Sequence, residues 1–230
     1  MKPKIGIIGG MGPLATAIFL KKIIDCTNAS VDQENIPLII INDTNVPDRT
    51  KFLLGESNDS PLPYLIKDVK DLESLGCNYA AMICNTSHSF YDELKVITNM
   101  QIINMPELTL KEIFKNGYKR PGLMATEGTI KTKVYEKFNK YNLDIIIPES
   151  NIQKEINELI YDYVKKNIKV PQEKFINIIK YFMDNSCDSI ILGCTELSVI
   201  MNELEINSEN IFDSTTVLAK KIIETYKNSM

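Results

Sequence analysis

Short runs of apolar, β-branched residues alternate along the chain with longer stretches in which apolar residues recur at helical spacing. The short runs are typical of buried strands, and the longer stretches are typical of amphipathic helices. We predict strands at Ile5–Ile8, Leu38–Ile41, Tyr79–Ile83, Ile102–Ile103, Gly122–Ala125, Leu143–Ile147, Ser189–Leu192 and Ile211–Phe212. We predict helices in the stretches between them, among which are Leu62–Leu75, Lys131–Tyr141, Ile152–Lys166, Glu173–Asn185 and Val217–Lys227. This alternation indicates an α/β fold with parallel sheets flanked by helices.

One irregular stretch interrupts the alternation, between residues 42 and 63. It contains Pro47, Gly55, Pro61 and Pro63, which favour turns over regular structure. Long loops inside compact domains are usually either functional or disordered. We therefore predict a long loop here and treat it as a source of site residues.

The second half of the chain repeats features of the first half. Cys77 and Cys187 are 110 positions apart in the sequence, and so are Cys84 and Cys194. In each half a predicted apolar strand runs between the two cysteines, and a short polar run follows the second one. Apolar strands followed by turns look alike in many proteins, but two cysteines in register at both ends of each strand are harder to explain that way.

A second match strengthens the repeat. The glycine-rich segment 6–12 resembles segment 122–128 at an offset of 116, and a loop insertion of six residues accounts for the difference from 110. The repeat predicts two related, pseudo-symmetric α/β lobes. We assign residues 1–105 and 210–230 to the first lobe and residues 106–209 to the second.

The repeat also predicts where the site lies. In open parallel sheets the working site is found beyond the carboxyl ends of the strands, and Cys84, Thr126 and Cys194 all follow such ends. When two such lobes face each other about a pseudo-twofold axis, equivalent cysteines approach one cleft from opposite sides. We therefore predict an active site in the cleft between the lobes.

Composition limits the function classes that remain. The 230 residues are 44% hydrophobic and 24% charged, which is typical of a globular protein with a packed core. The net charge is −4 and the Lys and Arg residues are scattered, so we expect no nucleic-acid partner. No apolar stretch is long enough to span a bilayer, and the N-terminal apolar run is too short for a signal peptide. We expect no membrane partner and a cytoplasmic location.

The five cysteines and the single histidine limit the chemistry. An odd number of cysteines in a chain without a signal peptide argues against a disulfide framework. Closely spaced cysteine pairs, which a structural zinc site needs, are absent from the sequence, and we expect no metal. We interpret Cys26, Cys77 and Cys187 as small buried apolar residues, since each lies in or beside a predicted helix.

Two opposed thiols are suited to inverting a carbon centre. One group must remove a proton from one face while another delivers a proton to the opposite face, and a thiolate and a thiol exchange these states in each passage. The polar runs after Cys84 and Cys194 are typical of helix starts, with capping oxygens and free N–H groups that bind a substrate carboxylate. His88 is most simply a polar residue in the helix after Cys84.

Five segments together resemble a known family. They are Gly9-Gly10-Met11-Gly12-Pro13, Pro47-Asp48-Arg49-Thr50, Cys84-Asn85-Thr86-Ser87-His88, Ala125-Thr126-Glu127-Gly128-Thr129 and Gly193-Cys194-Thr195-Glu196. In this order they are similar to the aspartate racemases of the aspartate/glutamate racemase superfamily, over nearly the whole chain. The resemblance implies two pseudo-symmetric lobes, an amino acid as substrate, a thiol pair as bases, no pyridoxal or other cofactor, and a homodimer.

The resemblance also implies site residues. It makes Cys84 and Cys194 the acid/base pair. It places the following residues in contact with substrate: Met11, Arg49, Asn85, Thr86, Thr126, Lys165, Thr195 and Glu196. Arg49 becomes a partner of the distal carboxylate, and its position after Pro-Asp in the long loop favours this role. The resemblance assigns Lys165 the same role, and an exposed helix lysine is the simpler interpretation of this residue.

The substrate and two other functions stay open at this point. Glutamate racemases usually carry Gly-Cys-Thr-His where this chain has Glu196, which favours aspartate over glutamate, with a broader racemase as the alternative. A dinucleotide-binding enzyme is disfavoured, since segment 6–12 reads G-x-x-G-G-x-G rather than G-x-G-x-x-G. A non-catalytic binding protein for an acidic metabolite would use the same cleft, but the presence of both thiols argues against it.

Overall fold

Two parallel β-sheets organise the chain, one from each half of the sequence. A computed structural model describes residues 2–228. The first sheet has the strand order β2-β1-β3-β4, and the second has the order β5-β6-β7. Their bounds are β1 Ile5–Gly9, β2 Leu38–Asn42, β3 Tyr79–Met82, β4 Gln101–Ile103, β5 Pro121–Met124, β6 Ser189–Leu192 and β7 Ile211–Asp213. Every strand pair is parallel, so the predicted α/β class with two parallel sheets is confirmed.

Helices connect the strands and cover both sheets. The α-helices are α1 Pro13–Thr27, α2 Arg49–Leu54, α3 Leu62–Ser74, α4 Tyr91–Lys95, α5 Met105–Lys115, α6 Glu127–Lys131, α7 Val134–Lys137, α8 Ser150–Glu158, α9 Gln172–Asp184, α10 Thr195–Glu203 and α11 Ser214–Asn228. Short 3₁₀ turns lie at Asp32–Glu34, Thr86–Phe90 and Val164–Lys166, and a π-helical turn lies at Leu159–Tyr163. Between residues 2 and 228, no helix has the length and apolar character needed to cross a membrane.

The long-loop prediction for residues 42 to 63 is wrong in part, because α2 lies inside this stretch. The Asp48 carboxylate caps α2 by accepting a hydrogen bond from Lys51 N at 3.0 Å. Gly55 ends the helix with a positive φ of 79°, which glycine adopts without steric cost. Arg49 is therefore a residue of the first turn of a helix and not a loop residue.

Two other predicted elements are interrupted. The predicted strand Leu143–Ile147 makes a single bridge within residues 2–228, between Ile146 and Gly122. The predicted helix Lys131–Tyr141 is split, because Lys133 adopts the left-handed conformation with φ 53° and separates α6 from α7. Both segments lie in the second half, where irregular backbone replaces the regular edge strand of the first sheet.

The internal repeat is visible in the element bounds and in single hydrogen bonds. The bounds of β3 and β6 differ by 110 positions, and so do those of α3 and α9. Ile83 N donates to Ile8 O at 2.9 Å, and Gly193 N donates to Met124 O at 2.7 Å. The donors of these two bonds are 110 positions apart and the acceptors are 116 apart, so both sequence offsets describe the same backbone geometry.

A pair of glycines repeats in the same way. A Cβ on Gly6 would lie 2.6 Å from Leu72 of α3, and a Cβ on Gly122 would lie 2.4 Å from Phe182 of α9. Such contacts are too short for any side chain, so glycine lets each helix pack closely on its strand. The apolar side chains that occupy the space are themselves 110 positions apart.

The inner faces of the two sheets are covered crosswise. Leu110 of α5, which follows the last strand of the first sheet, packs in one apolar cluster with Ile191 of the second sheet. Leu218 of α11, which follows the last strand of the second sheet, packs with Ile5 and Ile7 of the first. The last helix of each half, α5 or α11, thus packs in the core of the other half.

This exchange affects the predicted lobe division. Helix α11 packs with the first sheet, as the assignment of residues 210–230 to the first lobe expects. Strand β7, however, lies in that same stretch and pairs with β6 of the second sheet. The division into residues 1–105 with 210–230, and 106–209, stays a prediction, and the strand pairing places residues 211–213 with the second sheet.

Candidate active site

The carboxyl ends of strands from both sheets surround one cavity. Its wall contains all ten predicted site residues: Met11, Arg49, Cys84, Asn85, Thr86, Thr126, Lys165, Cys194, Thr195 and Glu196. Three more residues complete the lining: Asp48, Thr50 and Tyr161. The structure therefore brings together the residues that the sequence selected, at the location expected for parallel sheets.

The two cysteines occupy equivalent places in the repeat. Cys84 follows β3 and precedes a 3₁₀ turn, and Cys194 follows β6 and is the N-cap residue of α10. The predicted helix start after Cys194 is confirmed, and the one after Cys84 is a 3₁₀ turn. The predicted capping oxygens are wrong, because neither Asn85 nor Cys194 makes a side-chain capping bond to a described residue. Both cysteines are buried and neither forms a disulfide.

The remaining cysteines follow the prediction in two cases out of three. Cys77 and Cys187 are buried beside the strands, as expected of small apolar residues. Cys26 is exposed, so its interpretation as a buried residue is wrong. It lies in the last turn of α1, on a face of the helix that no described element covers.

His88 forms hydrogen bonds that fix the backbone at Cys84. Its imidazole is completely buried, with Nδ1 at 2.8 Å from Cys84 O and Nε2 accepting from Met105 N at 3.2 Å. Since Nε2 accepts, Nδ1 carries the proton and donates to the Cys84 carbonyl. Burial lowers the pKa of His88 to about 4, so the ring is neutral near pH 7. His88 therefore ties the Cys84 segment to the start of α5 and lines no part of the cavity.

Arg49 is held by backbone carbonyls and keeps part of its guanidinium free. Nη1 donates to Val46 O at 3.2 Å and to Pro47 O at 3.0 Å, and Nη2 donates to Met11 O at 2.9 Å. Guanidinium has five N–H donors, so counting one donor for each bond leaves two. Nε is buried and has no hydrogen-bond partner among residues 2–228. The free donors are suited to an anionic group.

Arg49 also supplies positive charge near Cys84. Burial alone would lower the pKa of the guanidinium, but the neighbouring Cys84 and the Asp48 carboxylate raise this pKa above its ordinary value. Arg49 therefore stays charged although its side chain is only 8% exposed. The cavity wall beside Cys84 is electropositive.

Cys194 has the opposite surroundings. Its thiol donates to Glu196 Oε2 at 2.9 Å, and the Thr195 hydroxyl donates to the same oxygen at 3.0 Å. Burial raises the pKa of Cys194 well above its ordinary value, and the Glu196 carboxylate raises it further. Glu196 Oε1 is buried and accepts no hydrogen bond from a described residue. Cys194 is therefore a thiol at neutral pH, next to a carboxylate with one unused oxygen.

A polar contact between the lobes closes the cavity. Lys165 Nζ lies 3.4 Å from Asp48 Oδ2, and the Tyr161 hydroxyl lies 3.4 Å from Asp48 Oδ1. The Lys165 ammonium also sits over the Tyr161 ring, 4.1 Å from its centroid. Burial alone would raise the pKa of Asp48, but the Lys165 ammonium and the bond from Lys51 N hold this pKa below its ordinary value. The contact joins the start of α2 to the segment after α8.

Lys165 is an exposed residue, as the simpler interpretation of its sequence expects, but it also lines the cavity. Its side chain alone is 26% exposed, because the ammonium lies against Asp48 and the Tyr161 ring. The predicted helix Ile152–Lys166 changes from α-helical to π-helical at Leu159 and to 3₁₀ at Val164. π-Helical turns are frequent at functional sites, and here the change of helix type sets the side chains of Tyr161 and Lys165 toward Asp48.

Hydroxyl groups from both lobes meet on another wall. Thr86 Oγ1 lies 3.0 Å from Thr126 Oγ1 and 2.9 Å from Thr129 Oγ1, and the last two are 3.1 Å apart. Sequence reasoning missed Thr129, which follows Thr126 by three residues and is completely buried. The Thr126 hydroxyl also accepts from Thr129 N at 3.2 Å, which caps α6. This cluster joins the two lobes beside the cavity.

Asn85 has partners that sequence reasoning also missed. The Tyr135 hydroxyl donates to Asn85 Oδ1 at 2.7 Å, and Asn85 Nδ2 donates to Ser214 Oγ at 3.0 Å. Both partners lie in the other half of the chain. No local pattern marks them, because they meet Asn85 only through tertiary packing. Tyr161, by contrast, precedes Lys165 by one helical turn, and that spacing could have drawn attention to it.

The cavity itself is small. Its volume of about 10 Å³ is room for at most about one water molecule. A larger pocket of about 440 Å³ lies next to it and shares five of its lining residues: Met11, Asp48, Arg49, Lys165 and Glu196. These shared residues separate the cavity from the larger pocket.

Comparison with solved structures agrees with the fold. The chain has 31% identity to the Picrophilus torridus aspartate racemase structure, with a TM-score of 0.85 over 98% of this chain and 94% of that one. An aspartate racemase homologue from Pyrococcus horikoshii OT3 has 27% identity and a TM-score of 0.78, over 99% and 100% of the two chains.

Sequence comparison also finds amino-acid racemases. The broad-specificity amino-acid racemase RacX of Bacillus subtilis (strain 168) is 28% identical over 225 residues, which are 96% of this chain and 97% of that protein. The family model for Asp/Glu/hydantoin racemases matches residues 8–222. A match over nearly the whole length, together with two lobes that share one cavity, identifies the chain as a member of the Asp/Glu/hydantoin racemase family.

Proposed function

We propose that the chain is a cofactor-independent amino-acid racemase that interconverts L- and D-aspartate, with Cys84 and Cys194 as its two bases. The observation that supports this most strongly is the pair itself. Two free, buried cysteines follow equivalent strands of the repeat and line one cavity from different lobes. A binding protein has no need for this pairing, whereas proton transfer on two faces of a carbon requires it.

The surroundings of Cys194 suggest how the cycle begins. Cys194 rests as a thiol that donates to Glu196, so Cys84 is the group that must accept the first proton. Cys84, as thiolate, removes the Cα proton from one face, and Cys194 delivers its proton to the other face. The product then leaves Cys84 as thiol and Cys194 as thiolate, which is the form required by the opposite enantiomer. No electron or group other than the proton is transferred.

Charged and polar groups around the cavity match an acidic amino acid. Asn85 and Thr126 are suited to the α-carboxylate, where backbone N–H groups of the helix starts add to them. The free donors of Arg49 are suited to the distal carboxylate. The unused Oε1 of Glu196 is suited to the substrate ammonium. Each of these assignments uses a buried group that lacks a partner or lines the cavity.

Substrate access requires the closing contact to separate. The cavity of about 10 Å³ is too small for an amino acid, and the larger pocket lies beyond Asp48 and Lys165. When the Asp48–Lys165 contact opens, the two spaces join and the Lys165 ammonium becomes available to the distal carboxylate. Closure over the substrate then excludes water, which strengthens each charged contact.

Racemisation in deuterated water tests the proposal. We expect D-aspartate formed from L-aspartate to carry solvent deuterium at Cα, while the remaining L-aspartate stays largely protonated early in the reaction. This pattern arises because separate groups remove and deliver the proton. The assay is chiral chromatography coupled to mass spectrometry, with no pyridoxal phosphate or metal added.

Two variants and a substrate panel complete the test. Cys84→Ala and Cys194→Ala should each abolish racemisation, whereas Cys77→Ala, a buried cysteine outside the cavity, should retain it. Racemisation that survives in either of the first two variants contradicts the two-thiol mechanism. The similarity to a broad-specificity racemase favours one alternative, a racemase that acts on many amino acids. Comparable rates of racemisation for aspartate and for neutral amino acids would support this alternative over aspartate specificity.

A further inference from the structure

We propose that Tyr135 and Ser214 are positioning residues that fix the side-chain amide of Asn85, so that it presents an N–H group to the substrate α-carboxylate. The inference rests on the proposed function, because it concerns how that site holds its substrate. Neither residue lines the cavity, and both act only through Asn85.

A chain of hydrogen bonds sets the orientation of the amide. The Ser214 hydroxyl donates its single hydrogen to Leu192 O at 2.8 Å. Ser214 Oγ can therefore only accept from Asn85, and the group 3.0 Å away must be the Nδ2 donor. The other end of the amide, Oδ1, then accepts from the Tyr135 hydroxyl at 2.7 Å. A carbonyl of β6 thus determines which way an amide beside Cys84 points.

The orientation has a direct consequence for anion binding. Nδ2 carries two hydrogens, and Ser214 uses one of them. Asn85 is 2% exposed and lines the cavity, so the second hydrogen is the polar group that it offers to a carboxylate. A flipped amide would offer Oδ1 instead, and two oxygens carrying negative charge repel each other.

Tyr135 is placed to hold this arrangement rigidly. Its side chain is completely buried, and burial raises the pKa of its hydroxyl, so the hydroxyl remains a donor throughout the working pH range. A Cβ on Gly193 would lie 3.1 Å from the ring, so the residue before Cys194 lets the ring approach closely. Tyr135 consequently touches the segment of one cysteine through its hydroxyl and the segment of the other through its ring.

A double-mutant cycle tests the proposal. Tyr135→Phe keeps the ring and removes the hydroxyl, and we expect KM for the substrate to rise about 10-fold with a smaller change in kcat, because carboxylate binding is affected in ground state and transition state alike. Asn85→Ala should raise KM by about 10- to 100-fold, which is the value of one hydrogen bond to a charged group. In the Asn85→Ala background, Tyr135→Phe should have less than about a 2-fold further effect.

The control is Tyr181→Phe, which also removes a hydroxyl bonded to backbone, at 3.3 Å from Glu149 N and outside the cavity. It should leave KM unchanged in both backgrounds. Effects of Tyr135→Phe that multiply with those of Asn85→Ala would overturn the positioning role and leave Tyr135 as a core residue.

A second measurement separates this inference from the proposed function. In protein labelled with ¹⁵N, the side-chain amide hydrogens of Asn85 should exchange slowly with solvent, and Tyr135→Phe or Ser214→Ala should accelerate that exchange at least about 10-fold. Unchanged exchange in both variants would overturn the positioning role. If the wild-type chain racemises no amino acid while the exchange behaves as expected, the proposed function fails and the orientation of Asn85 stands.

Discussion

Asp68 is a completely buried carboxyl group in α3, and neither of its oxygens has a hydrogen-bond partner within residues 2–228. Burial and, to a smaller extent, the nearby Asp43 carboxylate together raise the pKa of Asp68 to about 6 from an ordinary value of 3.8. The folded protein therefore holds the proton of Asp68 at pH values where the unfolded chain has already released it. Asp68 lowers stability as the pH rises.

The size of this effect follows from the difference between the two pKa values. A difference of about 2 between the folded and unfolded pKa values corresponds to a loss of at most about 3 kcal/mol in the free energy of unfolding. This loss is complete above pH 6 and absent well below pH 4. About half of it, roughly 1.5 kcal/mol, develops between pH 5 and pH 8. Asp68→Asn removes the titration. The free energy of unfolding of the variant, relative to that of the wild type, should therefore increase by about 1.5 kcal/mol between pH 5 and pH 8.

Urea unfolding at pH 5, 6, 7 and 8 measures the difference for each protein. Asp184→Asn is the matched control, because it changes net charge equally at an exposed position in the last turn of α9. It should show the same pH dependence as the wild type. Parallel stability profiles for Asp68→Asn and the wild type would show that Asp68 is already ionised in the folded protein, and the reasoning from burial would fail.

Two further predictions concern the site. Arg49→Ala should lower kcat/KM for aspartate by the equivalent of about 2–5 kcal/mol, because a buried carboxylate loses its partner. It should change kcat/KM for alanine far less. Equal effects on both substrates would mean that Arg49 is a structural residue that binds three backbone carbonyls. Glu196→Gln should lower the pKa of Cys194, because burial remains but the adjacent negative charge is removed, so alkylation of Cys194 by iodoacetamide, followed by peptide mass spectrometry, should begin at lower pH than in the wild type. An unchanged alkylation profile would mean that burial alone controls this thiol.

The fold class and the two site cysteines were predictable because their features are local and repeated, whereas the roles of the other eight cavity residues came from the resemblance to the aspartate racemases. Apolar strands that end in polar residues mark the carboxyl edge of a sheet, and the shared offset of Cys84 and Cys194 links two such edges. Eight of the predicted site residues lie two to four positions after the end of a strand, and Arg49 and Lys165 lie in other segments. Such positions converge whenever parallel sheets face each other.

The missed features depend on contacts between distant segments. Helix α2 was hidden by the prolines around it, although Asp48 is a favourable N-cap residue. Tyr135 and Ser214 reach Asn85 from 50 and 129 positions away, so no spacing along the chain reveals them. Cys26 was predicted to be buried but is exposed. Helical periodicity shows which residues share one face of a helix, but it does not show whether another element covers that face. The homodimer and the cytoplasmic location stay predictions.

The crosswise packing of α5 and α11 makes the two halves dependent on each other for folding. Helices α3 and α9 cover the outer faces of their own sheets, whereas each inner face is completed by the helix that follows the other sheet. A half chain on its own would therefore leave the apolar interior of one sheet in water. Two separate chains that exchanged their last helices would depend on each other in the same way. Here one chain contains both units, so the two cysteines occupy equivalent places in different surroundings: Cys84 lies near the Arg49 guanidinium, and Cys194 donates to the Glu196 carboxylate.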